Sequence, residues 1–149
     1  MVEIIRKDAT GLSDSVMQAS LAESLSQYGK PLKKVLIIPP DFTRSHAYAG
    51  ELTNMYYKLL SDTCQVDILP ALGTHMPMSD GELAEMFGDI PRDRFFDHDW
   101  RNDVETIGQV PGSFVSEVSE GLIDYSVEVQ VNKRLLDKSY DLIISIGQV

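Results

Sequence analysis

The apolar run Val35-Leu36-Ile37-Ile38, closed by Pro39-Pro40 and followed by Asp41-Phe42-Thr43-Arg44-Ser45, constrains the fold more than any other stretch. Four consecutive apolar residues leave no polar face. The strand they predict, Lys33 to Ile38, is therefore expected to be buried on both sides, as in a sheet covered by other elements. Downstream, Leu52, Met55, Tyr56, Leu59 and Leu60 recur at helical spacing and predict a helix from about Ser45 to Ser61, packed on the sheet by that stripe. A second strand, Val66 to Leu72, follows. Strand, helix and strand in this order make a βαβ unit, which implies parallel strands and a right-handed crossover.

Local signals predict the remaining elements. Met17, Leu21, Leu25 and Tyr28 sit at helical spacing, with Ser13 suited to cap the start and Gly29 to stop the end, so a helix is expected over Asp14 to Tyr28. Ser79 and Glu82 have the spacing of a capping box, and Met78 and Leu83 that of a hydrophobic staple, which predicts a helix ending near Gly88. Residues 1 to 8 read as a short strand. Phe95-Phe96 and Val104 to Ile107 read as short strands flanking an exposed polar loop, Asp97 to Asp103. Pro111 to Gly121 reads as an irregular excursion or a short strand, Ser126 to Val131 as an alternating strand, and Lys133 to Lys138 as a short helix capped by Asn132. Asp141 to Gly147 has the pattern of a buried strand. The expected fold class is α/β: one domain over residues 1–149, three-layer αβα, with a mostly parallel, Rossmann-like sheet.

A length of 149 residues suffices for one domain with a real core. The net charge of -10, from 23 acidic and 13 basic residues, argues against nucleic acid or an anionic membrane as partner and requires a local positive group for any anionic ligand. Cys64 is the single cysteine, which rules out an intrachain disulfide, and no apolar run approaches membrane-spanning length. The N-terminus, Met1-Val2-Glu3-Ile4-Ile5-Arg6-Lys7, lacks the apolar core of a secretory signal. A cytoplasmic, reduced protein is expected.

Open α/β sheets bind ligands outside the carboxyl ends of their strands. Both strands of the βαβ unit end in polar loops, Asp41 to Ser45 and Gly73-Thr74-His75-Met76-Pro77, so Arg44 and His75 are expected to face one cleft. A permanently charged, planar guanidinium suits an anion, and an imidazole titrating near neutrality suits reversible proton transfer. Each residue also has a plain structural reading: Arg44 as a surface group at a helix start or the partner of Asp41, His75 as a hydrogen-bonded turn residue. His46 reads as solvated. His98, between Asp97 and Asp99, reads as part of a solvated turn rather than a metal cluster, because adjacent residues on an extended chain point to opposite faces. Met76 and Met78 read as packing residues. On the residues alone, two functions stay open: an enzyme, or a nucleotide- or anion-binding α/β module without catalysis.

Asp41-Phe42-Thr43-Arg44 after one strand, Gly73-Thr74-His75-Met76-Pro77-Met78-Ser79 after the next, and Asn132-Lys133 before the last together resemble the N-terminal domain of the nickel-dependent lactate racemase family. The resemblance spans essentially the whole chain. It implies a parent enzyme, a racemase or epimerase of 2-hydroxy acids, that uses a nickel-pincer nucleotide derived from nicotinic acid mononucleotide. In that family the cofactor takes a hydride from the carbon bearing the hydroxyl, a histidine takes the hydroxyl proton, and the planar keto acid receives the hydride on either face. By resemblance, His75 matches the first of two acid/base histidines, and Arg44 the arginine that contacts substrate or stabilises the developing keto oxygen. Asp41, Thr43, Gly73 and Thr74 fall beside the cofactor.

The family's second catalytic histidine, its pincer-bound lysine and its nickel-ligating histidine have no counterpart in this chain. They are expected beyond Val149, in a C-terminal remainder that completes the site, and the 149 residues alone are expected to be an inactive fragment of a larger, two-domain isomerase. Ser45-His46-Ala47 stands where the family usually has a proline after the Asp-x-Thr-Arg motif, which leaves the identity of the 2-hydroxy acid open.

Overall fold

The computed structural model describes residues 3–147 and divides into two compact units, residues 1–97 with 139–149, and His98–Lys138. In chain order the first unit contains α1 (Asp14–Tyr28), β1 (Lys34–Ile38), α2 (Ala49–Leu60), β2 (Gln65–Ile68) and α3 (Asp80–Phe87). The second contributes β3 (Val104–Val110), α4 (Gly112–Val118) and β4 (Val127–Asn132), and the chain returns to the first unit as β5 (Leu142–Ser145). The fold is α/β, with a parallel sheet of order β2-β1-β5 in the first unit and an antiparallel pair, β3-β4, in the second. No helix among the described residues is long and apolar enough to cross a membrane.

β1 is the centre of the first unit. Val35 aligns with Val66 on one side and Leu142 on the other, and Val35, Leu36 and Ile37 have no exposed surface. Each such burial contributes about 1.5–3 kcal/mol before the entropy of ordering is subtracted. Val35 and Ile37 share one core with Val66, Ile68, Leu60, Leu83 and Phe87, while Leu36 points the other way, towards Leu69 and Tyr140. Asp67, on the Leu36 side, is buried too, and its carboxylate accepts hydrogen bonds from the Tyr140 hydroxyl at 2.7 Å and the Gln65 amide at 3.1 Å. These donors offset the desolvation that an unpaired buried carboxylate would suffer.

α1 has the predicted limits: the Ser13 hydroxyl accepts from the Val16 amide, and Gly29 closes the helix at φ 71°. The capping box of α3 is also present, with Ser79 Oγ accepting from the Glu82 amide at 3.3 Å and Glu82 Oε2 accepting from the Ser79 amide at 2.7 Å. The staple residues Met78 and Leu83 are both buried, whereas Met76, expected to pack, is 83% exposed. The strand expected at the N-terminus does not form over residues 3–8, where no partner strand pairs with them, and its first two positions lie outside the described residues.

The expected helix from Ser45 is replaced by two elements. A 3-10 turn, Phe42–Ala47, is capped by Asp41 and ends at Tyr48, whose φ of 60° turns the chain into α2. The residues α2 buries most completely are Ala49, Gly50, Thr53 and Leu60, not the full Leu52, Met55, Tyr56 and Leu59 stripe. Close helix contact is the reason: a Cβ on Gly50 would lie 2.0 Å from the Met86 carbonyl oxygen. Leu52 and Tyr56 instead line a cavity beside α1 with Met17 and Leu21. Phe95 meets Ile68 in a single parallel bridge rather than a strand with Phe96. β5 alternates half-buried and exposed residues, in contrast to the buried strand expected, because Leu142 and Ile144 pack on the core while Ile143 and Ser145 point to the opposite face.

In the second unit β3 and β4 pair with an irregularity between Thr106 and Gly108. α4 forms where an excursion or strand was expected, and Gly112 at its start allows close backbone packing, since a Cβ there would lie 2.5 Å from the Asp124 carbonyl oxygen. Asn132 caps a 3-10 turn, Lys133–Leu136, by accepting from the Arg134 amide at 2.9 Å. Its side-chain nitrogen lies 2.9 Å from His98 Nδ1, so His98 is half-buried and bonded, not the solvated turn residue expected.

Candidate active site

At the carboxyl edge of the parallel sheet the backbone holds three strand ends together. The Ala71 amide donates to the Pro39 carbonyl at 2.8 Å, joining the extensions of β2 and β1, and the Ile146 amide donates to the Ile38 carbonyl at 3.0 Å, joining β5 to β1. A cleft of roughly 650 Å³ opens over this edge, lined among others by Asp41, Arg44, Gly73, Thr74, His75 and Ser145. All of these belong to the first unit.

Asp41 and His75 form the closest polar pair in the cleft. Asp41 follows Pro39-Pro40 and caps the 3-10 turn, and its side chain is only 8% exposed. Its Oδ1 accepts from the Thr43 hydroxyl at 2.5 Å and the Thr43 amide at 3.2 Å, and its Oδ2 lies 2.5 Å from His75 Nδ1. Burial pushes the Asp41 carboxyl up, but the Thr43 hydroxyl, the His75 imidazole and the Thr43 amide together hold it below the ordinary carboxylate range. His75 is carried by the turn after β2, where Gly73 adopts φ 58° and the His75 amide donates to the Leu72 carbonyl at 2.9 Å. Gly73 serves that conformation rather than a tight fit, since nothing lies within 4 Å of where its Cβ would be. The imidazole side chain is 57% exposed, so it is anchored on one nitrogen and accessible from the cleft.

Arg44 stands on the neighbouring turn with φ -117° and ψ 29°, outside the helical geometry of its flanks. Its Nη1 donates to Thr43 Oγ1 at 3.3 Å, so it meets Asp41 through Thr43 and not directly. The exposed guanidinium supplies the local positive charge that an acidic protein needs to receive an anion. An accessible imidazole and a guanidinium on one cleft can take the proton of a hydroxyl while holding a nearby carboxylate or phosphate.

Five of the six residues expected in the site, Asp41, Arg44, Gly73, Thr74 and His75, line the cleft; Thr43 stands behind Asp41. The pairing of Asp41 with His75 was not among the expectations, and no local signal carries it, because it depends on how two loops meet across the sheet edge. Ser145 and Gly147, at the end of β5, also line the cleft without a sequence signal of their own. His46 is not among the residues that line the cleft, and His98 belongs to the second unit. Asp97 pairs with Arg92, and Asp99 accepts from Asn102 at 2.7 Å, so the residues flanking His98 have separate partners.

Comparison with known proteins places this architecture. The model of the lactate racemase N-terminal domain matches residues 3–149. A crystal structure of a Thermotoga maritima protein from a structural genomics consortium superposes with a TM-score of 0.74 at 29% identity, over 90% of this chain and 33% of that one. The lactate racemase apoprotein from Thermoanaerobacterium thermosaccharolyticum superposes with a TM-score of 0.56 at 20% identity, over 87% of this chain and 31% of that one, a likeness of fold. Among curated proteins no match is found. The chain spans about a third of the length of these two solved relatives. By its match to the family model over nearly its whole length, it belongs to the lactate racemase N-terminal domain family.

Proposed function

We propose that the chain is the N-terminal catalytic part of a racemase or epimerase of small 2-hydroxy acids, completed by a C-terminal remainder of its parent and inactive alone. The observation that carries this reading is the convergence of His75 and Arg44 on one cleft at the carboxyl edge of a parallel sheet. His75 takes the proton from the substrate hydroxyl and returns it after the carbon centre has become planar. Arg44 binds the substrate carboxylate or the oxygen that becomes the keto group, a role suited to a guanidinium that stays charged throughout.

The nickel-pincer nucleotide implied by the family supplies the hydride acceptor when bound. The donors of this cleft fit its anionic nucleotide portion: the cleft has room, and the backbone at Gly73 and Thr74 is open. They do not form a nickel cage, as the described residues hold no group of three or more His, Cys, Asp or Glu side chains arranged for a metal. Gly73 and Thr74 would hold the nucleotide, with Asp41 and Thr43 beside it, which leaves Arg44 to the substrate.

The test is His75→Ala in the full-length parent carrying its cofactor, assayed by chiral chromatography with a panel of 2-hydroxy acids. Interconversion of the enantiomers should be abolished. Unchanged turnover would remove His75 from the reaction.

A further inference from the structure

We infer that Asp41 is the positioning residue of this site: held by Thr43, it fixes the His75 imidazole with its proton on Nδ1, so that Nε2 is the atom presented to the cleft as proton acceptor. The inference rests on the proposed function only for the use made of Nε2; the arrangement itself stands on geometry.

An ionised carboxylate accepts hydrogen bonds and donates none. Asp41 Oδ1 is occupied by the Thr43 hydroxyl and amide, which leaves Oδ2 as the oxygen facing His75 Nδ1 at 2.5 Å. Nδ1 must then be the donor, and in the neutral ring the lone pair is on Nε2. Among the described residues no hydrogen bond is made by Nε2, and the imidazole lies on the cleft wall. When Nε2 takes a proton, the charge that forms on the ring faces an Asp41 carboxylate that Thr43 already holds in place by its hydroxyl and amide. Thr43 Oγ1 also accepts from Arg44 Nη1, which links the anion-binding group and the base in one chain of hydrogen bonds, Arg44 to Thr43 to Asp41 to His75.

Asp41→Asn makes the arrangement testable. The Thr43 hydroxyl and amide still require an acceptor, so the asparagine carbonyl takes the Oδ1 place and its NH₂ faces His75. Nδ1 is then forced to accept and the proton moves to Nε2. On the 149-residue chain, ¹⁵N-detected imidazole spectra of the neutral ring should show the Nδ1–H tautomer in the wild type and the Nε2–H tautomer in Asp41→Asn. The Nε2–H form or an even mixture in the wild type would overturn the inference, as would an unchanged tautomer in Asp41→Asn, and the wild-type spectrum decides even if the variant fails to fold. In the cofactor-loaded parent, the same variant should lower kcat on the order of 10²- to 10⁴-fold with little change in KM. If the tautomers are as stated but His75→Ala leaves turnover intact, the functional reading falls and the positioning stands.

Discussion

The two units use similar apolar side chains and treat them in opposite ways. In the first, Val35, Leu36, Ile37 and Ile68 have no exposed surface and Phe87 almost none, because β1 has a strand on each side and α2 and α3 cover one face. In the second, Ile107, Phe114, Val118 and Leu122 are 55%, 54%, 64% and 87% exposed, and Asn132 is the one buried residue among those described. Composition does not explain the contrast. A core needs two layers that can close on each other, and a two-stranded ribbon with a helix of seven residues is too thin to close on its own side chains. The cleft lies in the first unit, over the edge of the layered sheet, where buried strands fix the ends from which its loops leave.

The contrast is sharpest in the cost of truncation. Phe87→Ala, which empties a site packed against Phe95 with ring centroids 5.1 Å apart, should cost about 3–5 kcal/mol in urea unfolding. Phe114→Ala in the second unit should cost less than about 0.5 kcal/mol. Equal losses would mean that Phe114 is covered in solution and would break the comparison. Hydrogen exchange should divide the chain in the same way, with β1 amides opening only near the global unfolding free energy and β3–β4 amides exchanging by easier local openings. Matching protection in both sheets would contradict it.

The smallest effect concerns pH. The folded-state pKa of Asp41 lies below its unfolded value, so its contribution is complete above the ordinary carboxylate value of about 3.9 and is lost as pH falls through the lower folded value. The stability advantage of the wild type over Asp41→Asn should therefore shrink in that acid range, as read from denaturant midpoints. No such acid-range dependence is expected from Phe114→Ala.

What could be read from the sequence was whatever a few adjacent residues decide. Ser13 and Gly29 define α1, and Ser79 with Glu82 defines the start of α3, because caps satisfy backbone groups within one turn. The parallel topology placed Arg44 and His75 on one edge, and from there the cleft followed. What failed depends on distant partners. The tight face of α2 uses Gly50, whose value lies in the approach of Met86 and not in hydropathy, and α4 starts at Gly112, which packs under Asp124. The bond from Asp41 to His75 crosses 34 positions and exists only once two loops have been aligned by the sheet.

β5 has a consequence for handling the isolated chain. It pairs with β1 on one side, no described strand covers its other side, and its segment Leu142-Ile143-Ile144-Ser145 carries no charge, with Ile143 37% exposed. Such an edge offers a row of backbone donors and acceptors to any extended segment that approaches it, including the same strand of another molecule. The 149-residue chain is thereby prone to self-association through β5, and a lysine at Ile143 is the substitution that would blunt the edge while leaving the cleft untouched.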